Sequence, residues 1–279
     1  VWLPQWTSEF EFNKSEILNF NYKLEVGFPE VSQLADQFTL QNYNLVFKGN
    51  ALLENEQFHS ANLRYSKMNM YRGITWNAMA SFLKKEKTIR NEVILQGINQ
   101  VNSPFLRDNP ETNYNVNGTF TKKIYRFNLR LNTSLSWFNY LQTLNGVTTS
   151  NDRNNQKVGF LIKTAYKKWP TVSVGYTKGF SQFKGITQSN FQSDAWIGDA
   201  EITFFKYWTY KLAYENTSNT NANQQRNFYD IANTSLRYQK KNSPFGFEVT
   251  VNNLFNTTVK NDYSFSDYLI SERSTFLLP

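Results

Sequence analysis

The sequence predicts an all-β fold, an antiparallel up-and-down β-barrel that crosses a membrane. Three observations point to it. Apolar and polar residues alternate over long segments, which is the strand period. The connections between those segments alternate strictly between tight and long. Aromatics make up 17% of a chain whose mean hydropathy is only −0.58. Aromatics set among Asn, Thr, Ser and Lys suit a sheet with one apolar and one wet face.

The clearest segment is YRFNLRLNTSLSW, from Tyr125 to Trp137. Tyr125, Phe127, Leu129, Leu131, Leu135 and Trp137 share one side; Arg126, Asn128, Arg130, Asn132 and Ser134 share the other. Such a strand is about 40 Å long at ~3.3 Å per residue. Tilted, it matches the ~25 Å apolar band of a membrane barrel with an aromatic girdle at each border. Thirteen strands are expected: 5–12, 17–28, 58–69, 74–89, 113–122, 125–137, 155–167, 171–180, 194–205, 208–216, 229–239, 245–256 and 268–279. Each repeats the alternation: Leu18, Phe20, Tyr22 and Leu24 in the second, Val158, Phe160 and Ile162 in the seventh, Trp208, Tyr210, Leu212 and Tyr214 in the tenth. Tyr125, Trp137, Trp208 and Tyr214 are the expected girdle residues.

The tight connections read NKSE (13–16), MYRG (70–73), TKKIY (121–125), KKWP (167–170), FKYW (205–208) and KKNSP (240–244). The long polar ones fall near 29–57, 84–112, 138–156, 180–193, 216–228 and 257–267. In an up-and-down barrel, all short turns lie at one end and all long loops at the other. With thirteen strands both edges run the same way, so the sheet cannot close on itself. Residues 1–279 are therefore expected to form one incomplete barrel domain, the C-terminal portion of a larger wall.

Other classes fit poorly. There is no cysteine, hence no disulfide framework or thiolate metal site. No run of apolar residues is long enough for a transmembrane helix, and the first residues lack a signal-peptide pattern. The net charge of +8 falls largely in turns and on the polar side of strands, so no nucleic-acid partner is expected. His59 is the single histidine, and no metal or catalytic motif surrounds it. Near the outer end of its strand, it reads as a polar residue at the water boundary. Acidic residues such as Asp199 and Glu201 read as scattered. No catalytic residue, metal or cofactor is expected, and the chain is not read as an enzyme.

Two short motifs carry a resemblance. FKGNALLENEQFHSANLRYS at 47–66 resembles the "GNPxLxPE" signature of TonB-dependent outer-membrane receptors of the Bacteroidetes type, through Gly49, Asn50, Leu52 and Glu56. Ala51 and Asn55 stand where that signature has proline. VNNLFNTT at 251–258 resembles the family's NLFN near the end of its penultimate strand, through Asn253, Leu254, Phe255 and Asn256. The resemblance implies a 22-stranded barrel and a receptor that takes up a scarce solute across the bacterial outer membrane. It implies as partners the lipid bilayer, an N-terminal plug with the remaining strands, and a TonB-type energy-coupling protein. Arg64, Arg126, Arg130, Lys163, Lys211 and Glu248 are then expected to line a hydrated lumen. Read from its residues alone, Gly49-Asn50 is a turn dipeptide that anchors a long loop. A stand-alone pore or small barrel enzyme of 12–14 strands remains the alternative, and a passive assembly or adhesin anchor is a third.

Overall fold

The computed structural model describes residues 2–166, 170–185, 188–221, 224–265 and 270–276. The chain opens with β1 (Gln5–Asn13), β2 (Glu16–Gly27), a short helix α1 (Val31–Leu34), β3 (Phe38–Asn42) and β4 (Leu45–Lys48). It continues with β5 (Glu56–Asn69), β6 (Ile74–Gln96), β7 (Asn99–Arg107), β8 (Glu111–Ile124), β9 (Phe127–Leu144) and β10 (Val147–Thr164). Then come β11 (Thr171–Lys184), β12 (Gln188–Phe204), β13 (Trp208–Thr220), β14 (Arg226–Gln239), β15 (Gly246–Val251), β16 (Val259–Phe265) and β17 (Ile270–Phe276). The fold is all-β and the main sheet has 15 strands. Its principal path, β1-β2-β5-β6-β8-β9-β10-β11-β12-β13-β14-β15, is an antiparallel up-and-down meander.

Register converts the sequence alternation into two faces. Trp76, Phe120, Leu131, Phe160, Tyr176 and Trp196 are successive cross-strand partners on β6, β8, β9, β10, β11 and β12. One residue along, the partners are Asn77, Thr119, Asn132, Gly159, Thr177 and Ala195. Because a strand's side chains alternate, the first row lies on one face and the second on the other. The apolar face is open: Trp76, Leu131, Phe160 and Trp196 are each at least 40% exposed. Edge-to-face aromatic pairs hold it, including Tyr65–Trp76 at 5.3 Å and Phe160–Trp196 at 6.4 Å.

The strand list needs four corrections. Twelve of the thirteen expected strands lie on the path. The thirteenth corresponds to β17, which pairs with β16 in a separate sheet; residues 268–269 and 277–279 lie outside the described residues. With twelve strands, β1 and β15 run in opposite directions, not the same one. No described pairing joins them, so closure into a barrel is not seen.

Second, the long connections are largely strand. β6 and β7 form a hairpin from 88 to 107, and β9 and β10 meet at a two-residue turn. That turn is Asn145-Gly146, both at positive φ (50° and 77°), the strong hairpin pair. The apolar half of the alternation fades there, through Asn139, Ser150 and Asp152, so these strand segments read as loop. Third, Tyr125 (φ 54°) and Arg126 form the β8–β9 turn, and β9 starts at Phe127. Fourth, β15 stops at Val251, before the NLFN stretch.

Candidate functional site

Burial concentrates at the end opposite the tight turns, where β6, β7, β8, β9 and β10 project past the apolar face. Thr88, Tyr140 and Asn151 are fully buried there, and Glu111 is 2% exposed. A register shift between β5 and β6 lies at its base: Phe58 opposes Lys85 while Gln57 opposes Lys87. The extra residue reverses the side-chain parity of β6, a standard effect of a bulge. Thr88 and Arg90 thereby join Glu56 and Glu111 on the polar face.

Two carboxylates organise this cluster. Glu111 accepts two hydrogen bonds from Arg90, from Nε at 2.9 Å and Nη2 at 2.7 Å. The Arg90 guanidinium also covers the rings of Tyr140 (5.0 Å) and Phe138 (5.7 Å), which stack on each other at 4.7 Å. Buried Arg107 donates to Thr143 and lies over Phe105. Glu56 accepts from the Ile89 N–H at 2.7 Å, from the Thr88 hydroxyl at 2.9 Å and from Lys85 at 3.2 Å. A cavity of ≈ 210 Å³ opens between Lys85, Thr88, Arg90, Glu111, Asn113 and Phe138. It is lined by the Arg90–Glu111 pair, Lys85, an aromatic ring and neutral amide and hydroxyl groups, a surface suited to binding a polar solute.

The motif residues at 49–56 build this end of the molecule. Gly49 is buried, and an added Cβ would lie 2.1 Å from the Ala35 carbonyl oxygen. Glycine is needed for close backbone approach, rather than for the positive φ expected of a turn dipeptide. The Asn50 N–H donates to the Gln33 carbonyl at 2.7 Å, and its side chain bridges Leu52 N–H (3.0 Å) and the Pro104 carbonyl (3.2 Å). It ties α1, the turn and β7 together. Leu52 is exposed on that turn. Gly49→Ala is expected to loosen the cluster by on the order of 1–3 kcal/mol, from forced backbone displacement. Limited proteolysis would then cut within 84–107 while β9–β13 stay protected.

Glu56 lies beyond the last apolar row of β5. Burial pushes its carboxyl up, but the Ile89 N–H, the Thr88 hydroxyl and the Lys85 charge outweigh burial and hold it below the ordinary carboxylate value. A depressed folded value stabilises the cluster fully above the unfolded Glu pKa of about 4.3. That contribution is lost as pH falls through the lower folded value. Amide exchange at Ile89 is expected to accelerate over that window in the wild type, and much less in Glu56→Gln.

At the tight-turn end a second concavity, ≈ 390 Å³, is lined by Lys163, Ser173, Asp199, Glu201, Lys211 and Asn233, among others. Lys211 Nζ lies 3.6 Å from Glu201, and Ser173 donates to Asp199 at 3.1 Å. Asp199 and Glu201 thus share a cleft and are not scattered; their i, i+2 spacing on β12 was the available signal.

Of the other expected lining residues, Arg64, Arg130 and Glu248 are exposed on the polar face. Their partners are Asn19 and Met79 for Arg64, Thr121 and Leu161 for Arg130, and Arg237 for Glu248. Arg126 is the exception. It sits in the β8–β9 turn, its guanidinium over Tyr125 (5.6 Å) and Tyr166 (5.0 Å).

His59 lies on the apolar face, opposite Leu24 and Lys84, so it is not aimed at the polar side. Its Nδ1 meets the Tyr22 hydroxyl at 2.7 Å and its Nε2 lies 3.8 Å from Glu86. The girdle residues border the apolar face. Trp208 opens β13 and packs on Tyr238 at 5.0 Å, while Tyr214 ends the apolar run before Asn216 and touches Phe255 at 6.0 Å. Trp137 pairs with Tyr114 and Asn154, and Tyr125 stands exposed at its turn. The NLFN stretch is a turn. Asn253 and Asn256 are at positive φ (54° and 53°), and Asn253 exchanges hydrogen bonds with Thr257 at 2.9 Å. Leu254 N–H donates to the Ala232 carbonyl at 2.8 Å, capping the end of β15.

Among the described residues, no group of three or more His, Cys, Asp or Glu side chains is placed to hold a metal ion. Compared with known proteins, the chain matches no protein-family model and no curated sequence.

Proposed function

We propose that this chain is the wall of an outer-membrane β-barrel receptor that takes up a scarce solute. The supporting observation is the exposed apolar face running across the main sheet. Large apolar patches are rare on water-soluble monomers. A sheet that turns aromatics and aliphatics outward, with Asn, Ser, Thr and charged residues on its other side, suits lipid outside and water inside. Among the described residues β1 and β15 each pair on one side only, which supports further pairing, because lipid leaves no unpaired backbone group satisfied. In this reading Arg64, Arg130, Lys163, Lys211 and Glu248 line the lumen, and the Arg90–Phe138–Tyr140 cluster meets solute at its outer mouth. Energy from a TonB-type partner moves a plug, and the protein performs no covalent chemistry. The motifs around Gly49-Asn50 and Asn253-Asn256 are what favour this class of receptor.

One observation favours a second reading. Twelve strands with antiparallel edges have the parity of a complete small barrel, so a stand-alone pore fits the sheet equally well. The intact mass of the native polypeptide from its own membrane, with its single-channel conductance, separates the two. A mass far above 32.7 kDa with a barrel closed to ions supports the receptor. A mass near 32.7 kDa with steady conductance contradicts it and supports the pore.

A further inference from the structure

The tight turns themselves, beyond the cleft that holds Asp199 and Glu201, carry basic residues. The five fully described tight turns hold Lys14, Arg72, Arg126, Lys206, Lys240 and Lys241. Within two residues of these turns Glu16 is the single acid, and it is already paired with Lys67 at 2.7 Å. Among the described residues, none of the six cations lies within ion-pairing distance of a carboxylate. The opposite end is mixed, its cations answered by acids, as in Arg90–Glu111 and Lys85–Glu56.

The turn tips also pair exposed rings with these cations. Tyr71 precedes Arg72, Tyr125 precedes Arg126 and Phe205 precedes Lys206, with the rings 105%, 83% and 82% exposed. An exposed ring beside a cation gains little in water. At a lipid boundary, the ring settles at headgroup level while the cation reaches the phosphate. A rim of unpaired basic residues is drawn to anionic lipid in the same way as a polybasic segment.

We propose that the tight-turn rim docks on the anionic phosphate headgroups of the lipid leaflet at that end. The inference rests on the membrane-wall reading. The rim then fixes the height of the wall in the bilayer and gathers acidic lipid around it.

The test uses the chain incorporated into two vesicle types, phosphatidylcholine alone and phosphatidylcholine mixed with phosphatidylglycerol. Protease protection of β9–β13 reads insertion, and native mass spectrometry reads which lipids stay bound. Insertion is expected in both vesicles, with on the order of tenfold enrichment of phosphatidylglycerol at low salt. The enrichment should fall toward parity near 1 M salt, where the Debye length is about 3 Å. Replacing all six cations by Gln should keep insertion and remove enrichment. Should that variant fail to insert, Lys206→Gln/Lys240→Gln/Lys241→Gln is read instead. A partial loss there supports the assignment and no loss overturns it. Insertion without enrichment, or enrichment surviving in the six-fold variant, overturns the lipid assignment and leaves the wall reading standing. Displacement of the bound lipid by soluble polyglutamate overturns it in favour of an acidic aqueous partner. Failure to insert in either vesicle overturns the wall reading itself.

Discussion

Leu131→Arg is expected to prevent stable insertion, while Asn132→Arg, one residue along the same strand, is expected to be tolerated. Leu131 is 45% exposed between Phe120 and Phe160, near the middle of the apolar run of β9. In water an exposed leucine changed to arginine moves stability by only about 0.5 kcal/mol in either direction. At a bilayer midplane the same change costs about 2–4 kcal/mol. Asn132 is also exposed, but on the polar face, where its amide oxygen accepts from Thr119 at 3.2 Å. An arginine there joins a face that already carries Arg130 two residues along the strand. Co-flotation with vesicles and resistance to carbonate extraction give the readout. Equal behaviour of the two variants would remove the basis for assigning lipid to one face.

The second large effect is expected from Glu111→Ala. Glu111 is almost completely buried and takes both hydrogen bonds of the Arg90 fork, with Arg107 close by. Removing one partner of a buried pair typically destabilises by about 3–5 kcal/mol, because the other charge stays desolvated. Arg90 keeps part of its side chain in solvent, so about 3 kcal/mol is the expected loss, confined to the cluster around β6, β7 and β8. Replacing both partners, as in Arg90→Met/Glu111→Leu, should recover much of it. A double-mutant cycle read by proteolysis of the 88–107 hairpin gives the coupling. No coupling between the two positions would show that the pair does not hold this end together.

The strands of the main path were legible because one apolar face imposes a strict period of two over each of them. Leu129, Leu131 and Leu135 cannot leave that face without shifting the whole register. The tight turns were legible for the same reason, as brief interruptions between two such runs. The period lost its meaning where β6, β9 and β10 project beyond the apolar face and bury polar side chains such as Thr88, Gln142 and Asn151. There the signal was turn chemistry, and Asn145-Gly146 supplied it. The bulge near Lys85–Lys87 hid a second feature. It reverses parity within a charged stretch, so nothing in the alternation assigns Arg90 to the same face as Glu56. At Gly49-Asn50 the physical reason differed: close backbone approach, not a left-handed turn, requires the glycine. Arg126 and Tyr125 were misassigned because a strand pattern cannot reveal that its first residue has turned to positive φ.

The most direct test of the membrane wall uses the absence of cysteine from the chain. Single cysteines are introduced at Leu131 and at Asn132 in the membrane-inserted protein, and each is labelled with an environment-sensitive probe. The probe at 131 is expected to be quenched by lipid-borne quenchers and shielded from aqueous ones, with the reverse at 132. The same alternation should repeat at Phe160 and Gly159 on β10. Equal access of water-soluble quenchers to both faces would contradict a lipid-facing wall and leave a sheet whose apolar face awaits a protein partner.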